Sequence, residues 1–329
     1  MAGYVFGPAV RLDVSGAARA RAHFSHEYGP ASGSAPADVE AELRFALRPN
    51  GAGAGGHKTA RWSVELSDPE QRPMRLRIEI GGGPPSFALS LVQGYYVEPV
   101  VSVALARAGF VALPSAAVVG REGALVIMGR SRSGKSSVSV RQLAAGRALL
   151  GEDQVVIGED GGCWAYPRRL RVYPDIRETA PEAWPRLRAQ TRRTLLARAA
   201  LRRLTQGYVA PSLAVAASEL GPEPPRGRVP ATGLLVVERS DTVAPAESAR
   251  DAAWAAAQAS ALLAEQRARL AALASPHWRA ALQDAAERER ATLEPWLERI
   301  PVMHLTIPRS LDAPAAVRVL AEGVARRLR

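Results

Sequence analysis

The stretch Ala124-Leu125-Val126-Ile127-Met128, followed by Gly129-Arg130-Ser131-Arg132-Ser133-Gly134-Lys135-Ser136, carries the strongest structural signal in the chain. Its apolar first part is typical of a buried strand. Residues 129–136 match the pattern G-x-x-x-x-G-K-[ST] at every fixed position. Residues 137–145 have a helical pattern that Gly146 ends. The stretch therefore predicts a strand, a glycine-containing loop and a helix in direct succession.

This pattern has a physical basis in phosphate binding. Glycine lets the main chain turn tightly so that successive N–H groups point inward, and the following helix adds the positive end of its dipole. The lysine can reach the outer phosphates of a nucleoside triphosphate, and the last hydroxyl can bind Mg²⁺. We therefore expect ATP and Mg²⁺ as cofactors. The predicted phosphate-binding residues are Gly129, Arg130, Ser131, Arg132, Ser133, Gly134, Lys135, Ser136 and Ser137.

Lysine usage supports the same interpretation. The chain has 43 lysine and arginine residues, of which only Lys58 and Lys135 are lysine. In a chain that otherwise uses arginine, a lysine inside the motif indicates a site that needs a compact ammonium group. The net charge of +11 is carried almost entirely by arginine in an alanine-, glycine- and proline-rich chain. We interpret this charge as compositional bias rather than as a nucleic-acid-binding surface.

The chain of 329 residues is long enough for two lobes. Residues 1–110 alternate short apolar runs with turn formers and predict a β-rich lobe that ends in a helix at 98–108. Residues 111–329 are predicted to form the catalytic domain around the loop. This domain would contain an arginine-rich helical insertion at about 180–215 and alanine-rich helices at about 245–299, interrupted near Pro276.

Composition argues against several other classes. No run of about 18 uninterrupted apolar residues is present to span a bilayer. Residues 1–13 lack the basic start and the apolar segment of a signal peptide. We therefore expect a soluble, cytoplasmic protein with no membrane partner. Cys163 is the single cysteine, which excludes a disulfide framework and a zinc site built on cysteine pairs.

Glu152 and Asp153 follow the apolar pair Leu149-Leu150, at a predicted strand edge beyond the loop. A phosphate loop needs an acidic metal partner from a neighbouring strand. One carboxylate would hold Mg²⁺, directly or through water, and the other would accept a proton from an attacking hydroxyl. We assign Ser136 and Asp153 to the metal, although which carboxylate is the base stays open. The simpler alternative is that the two residues form a turn.

Three segments resemble the catalytic domain of HPr kinase/phosphorylase and the shorter HPr-kinase-like serine kinases, relatives of the ATP-dependent phosphoenolpyruvate carboxykinases. The first is the loop at 129–136. Residues 150–156 are similar to the family's Ser-Asp-Asp-Val-Val, and residues 166–174 resemble its Phe-Pro-Arg-Pro-Leu-x-x-x-Pro. The resemblance implies an α/β P-loop kinase core, here with an N-terminal β-rich lobe and C-terminal helices.

The resemblance also implies an activity. ATP would donate its γ-phosphoryl group to a hydroxyl, either a serine of a peptide or protein or a small-molecule alcohol. The residues that it implies as catalytic are Lys135, Glu152, Asp153 and Arg168. The acceptor is not identified, and a homo-oligomer is compatible with the sequence. The segment that marks the reversible phosphorylases has no clear counterpart, so kinase activity is favoured over phosphorolysis.

Three positions depart from the family pattern. Pro114 stands where the family usually has a histidine, so any role of that histidine is absent or moved. Arg132 stands where a further glycine is common, so we expect the loop to bend differently or to present an extra cation. Glu152 replaces an aspartate and lengthens one carboxylate by a methylene. These departures leave open a weakened or lost catalytic activity.

Arginines dominate two further segments. Arg168, Arg169 and Arg171 lie between prolines, and arginine can hold phosphate or carboxylate through two parallel hydrogen bonds. We predict that one of them stabilises the transferring group or orients the acceptor. Residues 183–218 contain no acidic residue. The arginine-rich helix in this segment either binds an anionic substrate or acidic peptide, or forms a solvated face.

Two other functions remain as alternatives. One is a regulator that binds a nucleotide without phosphotransfer, which Pro114 and Arg132 motivate. The other is a nucleic-acid-associated ATPase, which the net charge of +11 motivates. Nucleic acid is the less expected partner because the charge follows the composition.

Overall fold

The structure is a computed structural model, and it describes residues 1–29, 35–51, 53–206 and 212–328. The chain forms two units. The first consists of Met1–Ala112 and Ser260–Thr292, and the second of Leu113–Ala259 and Leu293–Arg329. Each unit contains helices and a mixed sheet, so the fold is mixed α/β.

The first unit is built on a six-stranded sheet. Its strands are β1 (Ala2–Phe6), β2 (Val10–Gly16), β3 (Val39–Phe45), β4 (Gly55–His57), β5 (Ala60–Leu66) and β6 (Met74–Gly82). The strand order is β1-β2-β3-β6-β5-β4, with parallel pairing of β3 to both β2 and β6. Leu76 and Ile78 of β6 are buried while Arg75 and Arg77 are exposed. Successive side chains of this strand therefore point to opposite faces of the sheet.

The segment Met1–Ala112 of this unit contains three α-helices: α1 (Ala18–Tyr28), α2 (Pro85–Val92) and α3 (Glu98–Arg107). A π-helical segment, Gln93–Val97, joins α2 directly to α3. The sequence predicted only the part from residue 98 onward. Because a π-helical turn changes the spacing of apolar residues, the pattern before Glu98 does not keep the period of an α-helix.

The continuous helical stretch Pro85–Arg107 is long and apolar enough to cross a membrane, with a mean hydropathy of 1.3 over an 18-residue window. However, 78% of that window is buried. Its buried Glu98 carboxylate accepts hydrogen bonds from the Tyr28 hydroxyl at 2.9 Å and from the Gln93 amide at 2.8 Å. A buried carboxylate bonded in this way is typical of a core helix packed on its neighbours.

The second unit contains most of the remaining elements. The strand β7 (Phe110–Leu113) lies at the boundary between the two units in sequence. The strands that follow it in the second unit are β8 (Ser115–Val119), β9 (Ala124–Gly129), β10 (Leu149–Gly151), β11 (Val155–Gly158), β12 (Gly162–Ala165), β13 (Leu170–Val172), β14 (Leu213–Val215), β15 (Val229–Ser240), β16 (Ala246–Arg250) and β17 (Val302–Pro308). The later helices of the chain are α4 (Lys135–Ala144), α5 (Ile176–Thr179), α6 (Ala189–Leu204), α7 (Ala252–Leu273), α8 (Pro276–Leu297) and α9 (Ala313–Arg327). Pro114 separates β7 from β8, because proline has no N–H for the ladder.

Parallel strands form the centre of the main sheet in this unit. β15 pairs in parallel with β9 on one side and with β17 on the other, and antiparallel strands flank them. Helices α4 and α9 pack on one face, where Val138 and Leu320 join Ile127, Val237 and Leu305 in a single buried cluster. β13 and β14 form a separate two-stranded antiparallel sheet.

The alanine-rich region differs from its prediction in two respects. It begins with the strand β16 rather than with a helix, although the break before Pro276 is confirmed. Its central part, Ser260–Thr292, belongs to the first unit, whereas the predicted domain division placed it in the second. Specific contacts explain this: Trp278 Nε1 donates to the Ser67 carbonyl at 2.7 Å, and Arg267 Nε donates to the Ser102 hydroxyl at 3.0 Å.

The predicted arginine-rich insertion contains α6, whose one buried side chain among the described residues is Leu195. Part of that prediction, residues 207–211, lies outside the described residues.

Candidate functional site

The loop after β9 has a backbone shape that favours glycine. Gly129 pairs with Val237, and a Cβ atom on Gly129 would lie 2.6 Å from the Val237 carbonyl oxygen. Gly134 has a φ of 99°, in the left-handed region. The first fixed glycine of the motif is therefore required by a close approach between strands, and the second by the turn into α4.

Arg132 also has a positive φ, of 67°. This is the position where the resembling family commonly has glycine. The chain has thus kept a left-handed conformation at this position with a larger side chain, at a cost of order 1–2 kcal/mol for a non-glycine residue. The Arg132 side chain is exposed. The departure therefore adds an exposed cation without removing the turn.

Helix α4 begins directly after the loop, at Lys135. The first N–H groups of an α-helix have no partner within the helix, and they attract anions. The buried Val138 of α4 belongs to the same apolar cluster as Leu125 and Ile127 of β9. The carboxyl end of β9 and the amino end of α4 therefore meet at the loop, as residues 124–145 predicted.

Lys135 folds back over this loop. Its ammonium group donates to the main-chain carbonyls of Gly129 and, at 3.1 Å, of Arg130. Burial lowers the pKa of Lys135, and the negative charges of Asp153 and Glu152 partly oppose that shift. The ammonium thus lies close to both carboxylates, and its present partners are neutral oxygens that an anion can replace.

Glu152 is buried, with 8% of its surface exposed. Its carboxylate accepts a hydrogen bond from the Ser136 hydroxyl and another from the main-chain N–H of Arg171 at 3.1 Å. Burial raises the pKa of Glu152, and the neighbouring charge of Asp153 raises it further. The hydroxyl predicted to bind a metal is therefore bonded to a carboxyl group with an increased affinity for a proton.

Asp153 has a different environment. Its side chain is 55% exposed, and Arg168 Nη1 donates to its Oδ2 at 3.1 Å. The structure therefore brings together all four residues predicted to be catalytic: Lys135, Glu152, Asp153 and Arg168. Glu152, rather than Asp153, contacts Ser136; the two carboxylates lie in a bend directly after β10, where Glu152 is buried and Asp153 is exposed.

The other predicted phosphate-binding residues differ in exposure. Ser133 is buried, with 4% of its surface exposed, and its main-chain N–H donates to the Arg130 carbonyl at 3.3 Å. Arg130 and Ser131 are exposed, and Ser137 is partly buried. The loop therefore has a closed inner turn and an exposed outer edge.

Sequence reasoning did not single out Tyr173, which lies at the same cluster. Burial raises the pKa of Tyr173, and the charges of Glu152 and Asp153 raise it further. Tyr173 belongs to the segment 166–174 that carries the family resemblance. That segment was the only available signal, and it did not distinguish Tyr173 from its neighbours.

The second unit also has a cavity of about 450 Å³ at the opposite end of β9, lined by Leu125, Met303 and Arg326 among others. The loop at 129–136 does not line it, and two of its three arginines, Arg326 and Arg327, already pair with Glu247 at 2.9 and 3.0 Å. The chemically distinctive groups of this unit are those at the loop, so we place the candidate site there.

Comparison with known proteins does not assign the chain to a family. It matches no protein-family model, and a search of curated proteins finds no similar sequence. What the fold itself defines is a mixed α/β protein with a glycine-containing loop between a buried parallel strand and a helix.

Proposed function

We propose that this protein is an ATP-dependent phosphotransferase with a P-loop kinase core similar to that of HPr kinase, acting on a hydroxyl in the cytoplasm. One observation carries the proposal. Lys135, Ser136 and Glu152 meet where β9 ends and α4 begins, with Ser136 hydrogen-bonded to Glu152. A lysine, a hydroxyl and a carboxylate around a helix N-terminus are the groups that a magnesium–nucleotide complex requires.

The residues present fit both cofactors. ATP phosphates would accept hydrogen bonds from the first N–H groups of α4 and from Lys135 once its ammonium leaves the Gly129 and Arg130 carbonyls. Mg²⁺ would be held by Ser136 and Glu152, whose oxygens are already in contact. When bound, Mg²⁺ neutralises charge on the phosphates. This changes our sequence-based assignment, which paired Ser136 with Asp153.

Asp153 then becomes the candidate general base. Its exposed carboxylate is close to Lys135, and Arg168 orients it through the 3.1 Å ion pair. In the proposed reaction the acceptor hydroxyl gives its proton to Asp153 while its oxygen bonds to the γ-phosphorus. The bond from that phosphorus to the ADP oxygen breaks, and Lys135 and Arg168 stabilise the charge on the transferring group.

The nucleotide-binding regulator remains the second candidate because of one contact. Arg168 already pairs with Asp153, so a regulator would keep this ion pair closed and leave the base unavailable. The conformation of Arg132 no longer favours this alternative, since the loop retains the left-handed turn. Nothing in the described residues favours the nucleic-acid-associated ATPase over these two.

The decisive experiment uses the only two lysines of the chain. We would measure Mg²⁺-dependent ATP binding by calorimetry, and transfer of the γ-phosphoryl label to a pool of peptides and small alcohols. Lys135→Met is expected to weaken ATP binding at least 100-fold and abolish transfer, because it removes a charge-assisted contact to the phosphates. Lys58→Met, the matched control, is expected to change neither.

Three results separate the candidates. Label transfer that requires Lys135 supports the phosphotransferase. Tight Mg²⁺-dependent ATP binding with no transfer to any acceptor supports the regulator. Equal ATP affinity in the wild type and in Lys135→Met contradicts both proposals.

A further inference from the structure

Helix α6 is apolar on the side that faces solvent. Leu195 is its one buried side chain among the described residues, and it belongs to the apolar core cluster of the second unit. Leu196, Leu201 and Leu204 are instead 50%, 42% and 83% exposed. Leu204 follows Leu195 by about two and a half helical turns, so it lies on the opposite side of the helix. Surface helices normally turn polar residues to this side, so the exposed leucines call for a partner.

The exposed apolar residues of α6 have the spacing of a helix–helix contact. Leu196, Ala200 and Leu204 follow one another at intervals of four residues, and Ala197 and Leu201 form a second row beside them. Residues at this interval are neighbours on a helix surface. The two alanines are exposed and small, so they leave room between the leucines for the side chains of a second helix.

Arginines share this side of α6 with the leucines. Arg193 lies one helical turn before Leu196, and Arg203 lies about two turns after it. Both arginines are exposed, and within the described residues neither side chain forms an ion pair or a hydrogen bond. The helix has five arginines and no acidic residue. A partner that covers the leucines therefore also meets unpaired positive charge.

This arrangement distinguishes between classes of partner. A helix that binds a membrane surface keeps its cations apart from its apolar residues. In α6, contact with lipid would bury Arg193 together with the leucines, which is costly. A second copy of α6 would bring five arginines against five others, and like charges repel. A helix that carries leucines and carboxylates on one side satisfies both requirements, through apolar packing and ion pairs with guanidinium groups.

We propose that the exposed face of α6, formed by Leu196, Leu201, Leu204, Arg193 and Arg203, binds an acidic amphipathic helix of a partner protein. The leucines pack against apolar side chains of the partner, and the two arginines hold its carboxylates. This face does not include the loop at 129–136, so partner binding does not depend on the proposed nucleotide site.

The test uses the full chain and a fluorescently labelled peptide about as long as α6, with leucines along one helical side and glutamates beside them. Fluorescence anisotropy measures binding. The wild-type chain is expected to bind this peptide at least tenfold more tightly than a scrambled peptide of the same composition, because scrambling separates the leucines from one side. Leu196→Ser combined with Leu204→Ser is expected to weaken binding about tenfold or more, because less apolar surface is buried.

A charge reversal tests the ion pairs. Arg193→Glu combined with Arg203→Glu should weaken binding of the acidic peptide about tenfold or more. The same variant should bind a peptide with lysine in place of glutamate more tightly than the wild type does, which also shows that the variant is folded. Arg279→Glu and Leu47→Ser, at exposed positions elsewhere in the chain, are the matched controls and should change the affinity less than about twofold.

Several results would overturn the proposal. Equal affinity for the scrambled peptide or for polyglutamate would show that net charge alone governs binding. Equal losses in the α6 variants and in their controls would show that the peptide binds elsewhere. Tighter binding to vesicles of phosphatidylserine and phosphatidylcholine than to the peptide would identify a membrane as the partner. Lys135→Met should leave peptide binding unchanged, and its loss in this variant would place the peptide at the phosphate loop instead.

Discussion

The two units hold buried charge in opposite ways. In the first unit, Arg267 and Glu289 are 6% and 2% exposed and form a two-pronged ion pair, with Nη1 to Oε2 at 2.8 Å. Arg267 Nε is also used, on the Ser102 hydroxyl. In the second unit, the Lys135 ammonium bonds to carbonyls and a hydroxyl, while Arg198 bonds to the Ser212 carbonyl and the positive charge of Arg171 lowers its pKa.

This difference separates stability from binding. Two buried side chains of opposite charge that use all their hydrogen-bonding groups on each other cannot also bind a ligand, so their role is structural. Charges held by neutral groups, or beside a like charge, keep their attraction for an outside partner. We therefore interpret the first unit's pair as structural, and the cluster around Lys135 as a binding and reaction site.

The largest expected effect on the free energy of unfolding comes from breaking the buried ion pair between Arg267 and Glu289. Glu289→Leu leaves the Arg267 guanidinium buried without a partner, so the free energy of unfolding should fall by about 3–5 kcal/mol. Arg267→Met combined with Glu289→Leu should recover most of that loss, because burial raises the pKa of Glu289 despite its partner and the ionised pair is costly to desolvate. Urea unfolding followed by circular dichroism measures both.

The exposed pair between Arg288 and Asp284, at 2.8 Å on the same helix α8, is the matched control. Asp284→Asn is expected to change the free energy of unfolding by less than about 0.5 kcal/mol. A loss below about 1 kcal/mol for Glu289→Leu would show that this buried ion pair does not stabilise the first unit.

Neutralising a charge in the second unit should have the opposite effect on stability. The folded-state pKa of Glu152 is raised above its ordinary value of 4.5. Its contribution to stability is therefore complete below that pH and is lost as the pH rises through the folded-state pKa. Glu152→Gln should match or exceed wild-type stability by up to about 1 kcal/mol at pH 8, with a smaller difference at pH 5.

The same substitution should reduce phosphoryl transfer about 100-fold to 10,000-fold, because it removes the carboxylate paired with Ser136. Glu159→Gln, at an exposed position in the same segment, is the control for both measurements. If Glu152→Gln destabilised the protein at pH 8 as strongly as Glu289→Leu does, the two units would not differ in their use of charge.

The smallest effect concerns the loop backbone. Arg132→Gly removes the cost of a left-handed arginine but adds flexibility to the unfolded chain, so we expect a net stabilisation of up to about 1 kcal/mol. Arg130 is a neighbouring exposed residue without a positive φ, so Arg130→Gly should instead lower the free energy of unfolding by a similar amount. Thermal unfolding with and without ATP checks both variants, and a destabilising Arg132→Gly would contradict the role assigned to this turn.

Local sequence patterns predicted several elements well. The strand β9, the loop and the start of α4 lie where the apolar periodicity and the turn residues indicated. These elements depend on interactions between residues near one another in sequence, such as the left-handed turn at Gly134 and the apolar run of β9. The candidate loop was predictable for the same reason.

Other features depended on contacts between distant residues. The pattern gave no sign that β15 would separate β9 from β17, or that Ser136 would be hydrogen-bonded to Glu152 rather than meet Asp153. Each requires knowing which strands pair and which faces pack, and many registers satisfy the same apolar pattern.

The sequence by itself determined where a phosphate-binding turn can form, because a short run of glycine, lysine and serine restricts the main chain locally. Only the tertiary structure decided which carboxylate accepts the hydrogen bond from Ser136, which charged side chains form ion pairs with one another, and which can still bind a ligand. These properties depend on burial and on distances between segments that are far apart in the chain.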